Sequence, residues 1–150
     1  MRSGIEPDVV NGEQFNIELF FEKFNAHYQR HYSDRDKDFI EREAAFLFLC
    51  FLQPYLNGKG SFQLESNPNL ATGKRMDIII IIYGNEEFII ELKIWRGEKR
   101  QQDAYQQLTD YVKKRDAGKG YLLTFDFRKK KEVKQEWIEV HETSVLEVQV

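Results

Sequence analysis

"RMDIIIIIYGNEEFIIELKIW", residues 75–95, decides the fold. Its apolar runs are short, and the first is a row of β-branched isoleucines, which favours strands over helix. Between the runs lies Gly84-Asn85, a dipeptide suited to backbone with positive φ. The stretch therefore reads as a hairpin with strands at about 75–83 and 86–95. An isoleucine run without polar alternation implies burial on both faces, so helices should cover both sides of the sheet. Asp77, Glu91 and Lys93 interrupt the pattern. Burying a lone charge is costly, so these groups need partners, a metal or a cleft.

Strand side chains alternate, so Glu91 and Lys93 share a face. The hairpin loop decides whether Asp77 joins them. A two-residue loop at Gly84-Asn85 sets Asp77 opposite Leu92, on the other face. A loop of residues 83–85 pairs it with Glu91, and a loop of 84–86 pairs it with Lys93. A bulge near Asp77 would also bring it round. Two carboxylates and a lysine gain most from one shared site, so an odd loop or a bulge is expected.

Apolar positions 15, 17, 19, 20, 21, 24 and 28 form a helical stripe over 13–31. SDRDKD (33–38) breaks it and offers N-cap residues. A strongly apolar second helix follows over 38–52, ending near Pro54 and Gly58. SFQLES (61–66) alternates as a strand, and NPNLATGK (67–74) is a loop. EKRQQDAYQQLTDYVKKRD (98–116) is a third helix with Gly118 beyond its end. KGYLLTFDF (119–127) reads as a central strand, RKKKEVKQ (128–135) as a charged turn, and WIEVHE and LEVQV as weaker strands. The order is that of one α/β domain with a mixed sheet over 13–150. Residues 1–12 read as a tail or linker remnant.

The 150 residues suffice for one domain with a real core, and the net charge of -3 makes any nucleic-acid site a local patch. Cys50, the sole cysteine, sits in the run AAFLFLCFL and reads as buried; this argues against a disulfide scaffold and suits a reducing, cytoplasmic setting. No stretch is apolar for long enough to span a membrane.

Two carboxylates held close together suit a hard cation such as Mg²⁺, with Mn²⁺ as a substitute. A lysine beside it can orient a water and stabilise negative charge on a phosphoryl group. The pattern Glu-x-Lys alone says little, since Glu132 and Lys134 repeat it. The conjunction of Asp77 with Glu91 and Lys93 in one apolar hairpin is more telling.

These residues, with Gln107 and Tyr111 downstream, resemble the PD-(D/E)XK nuclease superfamily. "IIELKIWRGEK", "YQQLTDYVKK" and "GYLLTFD" look like a narrower group within it, the nuclease-like domains found C-terminal to AAA-type ATPase domains in prokaryotic proteins. The resemblance covers roughly 38–127. It implies a restriction-endonuclease-like αβββαβ core with a mixed central sheet flanked by helices, here with an extra N-terminal helix. It implies Asp77 and Glu91 as metal ligands, the Leu92 carbonyl completing the metal shell, and Lys93 as the catalytic lysine. Gln107 and Tyr111, one helical turn apart, would support the site or touch the substrate backbone. An acidic residue from the first core helix is expected too, Glu43 first and Glu41 second. Met76 stands where the superfamily often has proline.

Arg75, Arg96 and Lys99 flank the motif strands and are candidate phosphate contacts. Lys113, Lys114 and Arg115 read as ordinary basic residues at a helix end. His27 and His31 are spaced to share a metal but lack a third ligand, NGKGS (57–61) reads as a turn, and Trp95 as core or rim. Glu65 can approach the site. Two readings stay open. One is a Mg²⁺-dependent nuclease acting on nucleic acid, DNA first and as a homodimer or beside an ATPase domain. The other is an inactive module of the same fold that binds nucleic acid or a protein partner.

Overall fold

The computed structural model describes residues 8–31, 41–65 and 78–150. Asp77 and Arg75, the breaker at 33–38, the first three residues of the expected second helix and the loop at 67–74 lie outside the described residues. So do residues 1–7 and the side chain of Glu41.

Among the described residues the chain forms β1 (Val10–Asn11), β2 (Gln14–Phe15), α1 (Ile17–His31), α2 (Glu41–Leu56), β3 (Gly60–Glu65), β4 (Ile78–Tyr83), β5 (Glu86–Ile94), α3 (Glu98–Lys114), β6 (Lys119–Phe125), β7 (Lys134–Val140) and β8 (Thr143–Gln149). The six-stranded sheet has the order β3-β4-β5-β6-β8-β7. β3, β4 and β5 form an antiparallel meander, α3 crosses over to β6 parallel to β5, and β8 adds parallel to β6. From α2 to β6 this is the expected αβββαβ core, with α1 as the extra helix.

Ile78, Ile79, Ile80 and Ile81 of β4 are buried as expected, and Ile82 partly so, because the strand has neighbours on both edges and helices on both faces. Ile79 and Ile81 pack with α1 and α2, whereas Ile78 and Ile80 pack with α3. On the first face, Phe20, Phe21 and Phe24 of α1 meet Phe48 of α2 with ring centroids 5.4–6.2 Å apart.

Five expectations need correction. The hairpin loop is even: Tyr83 pairs with Glu86 across Gly84-Asn85. Only Gly84 takes a positive φ, 61°, as a turn with glycine at its first central position requires. The Glu13 carbonyl oxygen would lie 2.7 Å from any Cβ there. Gly84→Ala is therefore expected to cost about 2 kcal/mol, read as a lower urea midpoint. Second, α2 runs through Pro54 to Leu56, since a proline near a helix end deprives only one carbonyl of its amide partner. Asn57 and Gly58, both at positive φ, then stop it. Third, Cys50 is exposed, because the apolar run of α2 is wider than the face that packs; Phe46 on the same helix is 70% exposed. Fourth, part of the expected tail is built into the fold. Val9 is buried, its carbonyl accepts from Asn16 N–H at 2.7 Å, and Phe15 stacks near Tyr83 and Phe88. The charged turn is also shorter than read, as Lys134 and Gln135 open β7.

Candidate active site

The register assembles a polar row on the α3 face of the sheet. Glu65 pairs with Ile78, Ile78 with Glu91, Glu91 with Leu122, and Leu122 with Glu147. Direct partners share a face, so Glu65, Glu91 and Glu147 all point toward α3. The next row on that face holds Lys93, Thr124 and Gln149.

Glu91 is 0% exposed and Lys93 is half-buried. A carboxylate so fully buried in the middle of a sheet is rare unless it is paired or holds a cation. Among the described residues the last β4 partner is Ile78, opposite Glu91, so β5 runs on through 92–94 without a described ladder partner on that edge. Leu92, the next residue of β5, turns its side chain to the other face and packs with α1 and α2.

α3 covers this row with Gln101, Tyr105, Gln107 and Tyr111. Gln101 Nε2 donates to Thr124 Oγ1 at 2.9 Å, in the row of Lys93. Tyr105 OH donates to Glu147 Oε2, and Lys134 Nζ lies 3.0 Å from the other Glu147 oxygen. Gln107 is half-buried, and its Oε1 is shielded from water and accepts no hydrogen bond among the described residues. Burial and then the nearby Glu65 carboxylate push the Tyr111 phenol up, with Arg115 opposing. Arg115 itself holds Glu87 through two 3.0 Å hydrogen bonds. The helix-end arginine thus fastens α3 to β5, while Lys113 and Lys114 are exposed.

The structure therefore brings Glu91, Lys93, Gln107 and Tyr111 to one face, and adds Glu65 by register. It does not bring Glu43 there: that residue is exposed on α2, which packs against the opposite face. Arg96 and Lys99 are exposed just past the end of β5. Thr124, Gln101 and the Tyr105–Glu147–Lys134 set went unread in the sequence; the polar interruptions Thr124 and Glu147 in apolar strands were the available signal. His27 lies against Phe51 with ring centroids 5.0 Å apart, packing as an aromatic.

The donor set fits a hard divalent cation in kind. The Glu91 carboxylate is fully buried on the α3 face of the sheet, next to the Leu92 backbone. Among the described residues no three His, Cys, Asp or Glu side chains cluster as a metal site, and Asp77, the expected partner of Glu91, lies outside them.

At the far end of β5 and β6, Asp126 is 1% exposed. Burial alone would raise its pKa, but hydrogen bonds from the Arg128 side chain and backbone and from Gln149 outweigh it and hold the carboxyl below its ordinary value.

Among the described residues no helix is long and apolar enough to cross a membrane. No curated protein and no solved structure gives a significant match to this chain. Residues 63–136, from β3 into β7 and including every strand and helix of the polar row except β8, match the family model of the PD-(D/E)XK nuclease superfamily.

Proposed function

We propose that the chain is a metal-dependent nuclease that hydrolyses phosphodiester bonds of nucleic acid, DNA first, at Glu91 and Lys93. The observation that carries this reading is a fully buried Glu91 two residues from a half-buried Lys93, on one face of a central strand. The superfamily match supports nuclease-type chemistry.

In this reading Glu91, Asp77 and the Leu92 carbonyl hold Mg²⁺, or Mn²⁺ in its place. The bound ion supplies Lewis-acid stabilisation of phosphoryl oxygens and makes a coordinated water more acidic. Lys93, on the same face as Glu91, orients the attacking water and offsets charge developing on the phosphoryl group. Gln107 presents its carboxamide to the site from α3, and Tyr111 with Glu65 braces it from the β3 side. Arg96 and Lys99, with Arg75, contact phosphates flanking the scissile bond. The resemblance of the β5–α3 stretch supports a place beside an ATPase domain in a cytoplasmic assembly, and two copies would allow two strands to be cut.

A second reading has one observation in its favour. Glu43 stands on the opposite face, so the acidic residue expected from the first core helix does not complete the site. In that reading the fold is an inactive module that binds nucleic acid or a protein partner. Calorimetric titration of Mg²⁺ and Mn²⁺ separates the two. Wild type should bind the ion, and Asp77→Ala should lose it without a change in melting temperature. Ion binding unchanged in Asp77→Ala would remove Asp77 from the site and favour the inactive module.

A further inference from the structure

Two loops meet at the carboxyl ends of the parallel strands β5 and β6. Trp95 N–H donates to Phe125 O at 2.9 Å, so the chain leaving β5 stays joined to the chain leaving β6. The Arg128 guanidinium lies 4.0 Å from the centroid of the Trp95 ring. It also grips Asp126, with Nη2 2.7 Å from Oδ2 and Nε 3.0 Å from Oδ1. Gln149 Nε2 holds the same carboxylate at 2.8 Å, and Lys131 Nζ reaches over the Tyr28 ring at 5.7 Å. The turn at 128–131 is thereby fastened across the sheet end, against Trp95.

Together, residues 95–100 and 126–132 carry seven basic side chains against three acidic, on a chain of net charge -3. A run of lysines in a turn is ordinarily a solvated surface. Here a nearly fully buried aspartate, a stacked tryptophan and a glutamine from β8 fix its base. Such a hold fixes where the turn presents the exposed Lys129 and Lys130. The place also matters. In α/β sheets ligands bind at the carboxyl ends of the strands, and Trp95 is two residues of extended chain beyond Lys93, about 7 Å.

We infer that this edge is a nucleic-acid contact surface, along which the sugar-phosphate backbone runs from the Lys93 site across the ends of β5 and β6. Lys129 and Lys130 meet phosphates there, continuing the line of Arg96 and Lys99, and Arg128 anchors the turn. The inference rests on the phosphodiester reading of the Glu91–Lys93 site and extends it by naming where the bound strand lies.

The test is fluorescence anisotropy with labelled 30-residue single strands and duplexes of DNA and of RNA. Binding is measured with Mg²⁺ in a Lys93→Ala background, so that no probe is cut. Adding Lys129→Glu and Lys130→Glu should weaken binding about tenfold or more at low salt. The slope of log Kd against log salt should become shallower by about two. Melting temperature should stay unchanged, and Lys113→Glu with Lys114→Glu should alter Kd less than twofold. The preferred probe identifies DNA or RNA as the backbone that fits. Unchanged affinity and slope in the 129/130 pair, an equal loss in the 113/114 pair, or no binding by the parent would each overturn the inference. Cleavage by wild type against Lys93→Ala is read separately. Absent cleavage with this binding pattern intact would refute the nuclease reading and leave the contact surface standing.

Discussion

Replacing Lys93 with alanine is expected to slow phosphodiester cleavage by about a thousandfold or more, with the melting temperature within a few degrees of wild type. That factor corresponds to roughly 4 kcal/mol of transition-state stabilisation, the size expected for one preorganised charged group at a developing oxyanion. The fold should survive because Lys93 is only half-buried and the surrounding core lies beneath Ile89, Ile90 and Leu92. Glu91→Gln should be equally damaging if Glu91 holds the cation as proposed, since it preserves shape but removes the charge at a 0% exposed position. A split is informative. Loss with Glu91→Gln but not with Lys93→Ala would leave a metal site and strip the lysine of its role. Rates measured under single-turnover conditions keep binding and chemistry apart.

Phe48→Ala carries the largest expected effect on stability. Phe48 is fully buried and touches Phe20, Phe21 and Phe24, so it is a central part of the aromatic contact between α2 and α1, beside Phe51 and Tyr55. Truncating a buried phenylalanine costs about 4 kcal/mol in lost transfer energy and residual cavity. In a domain of this size that lowers the melting temperature by roughly 10 °C. A fall of only a degree or two would mean that the aromatic cluster repacks, and that α1 is held mainly by its other contacts.

The hairpin of β4 and β5 was legible because strand periodicity and a glycine turn are local signals. The burial of the isoleucine run on both faces followed from composition alone. Three features were not legible, each for a physical reason. Loop parity at Gly84-Asn85 depends on which backbone torsions the turn adopts, and both odd and even loops satisfy the same residues. The strands β1 and β2 have two residues each, too few for any periodicity to register. The exposure of Cys50 and Phe46 depends on how much of α2 the sheet can cover, which the helix sequence alone does not contain.

The site divides the same way. Glu91 and Lys93 could be paired from alternation within one strand, and Gln107 with Tyr111 from the helical turn. The Gln101–Thr124 bond, the Glu65–Ile78–Glu91 row and the Arg128 stack on Trp95 each join different elements. Their partners are fixed only by the register across β3, β4, β5 and β6. Glu43 shows the converse: a residue chosen for its place in a helix faces away once the packing side of that helix is known.

The most direct test of the account is a cleavage assay on labelled duplex DNA, single-stranded DNA and RNA with wild-type protein, in Mg²⁺, in Mn²⁺ and in EDTA, with Lys93→Ala beside it. Cut product is expected from wild type with either cation, none in EDTA, and a loss of about a thousandfold in the variant. Cleavage that persists in EDTA, or that Lys93→Ala performs as well as wild type, would contradict it.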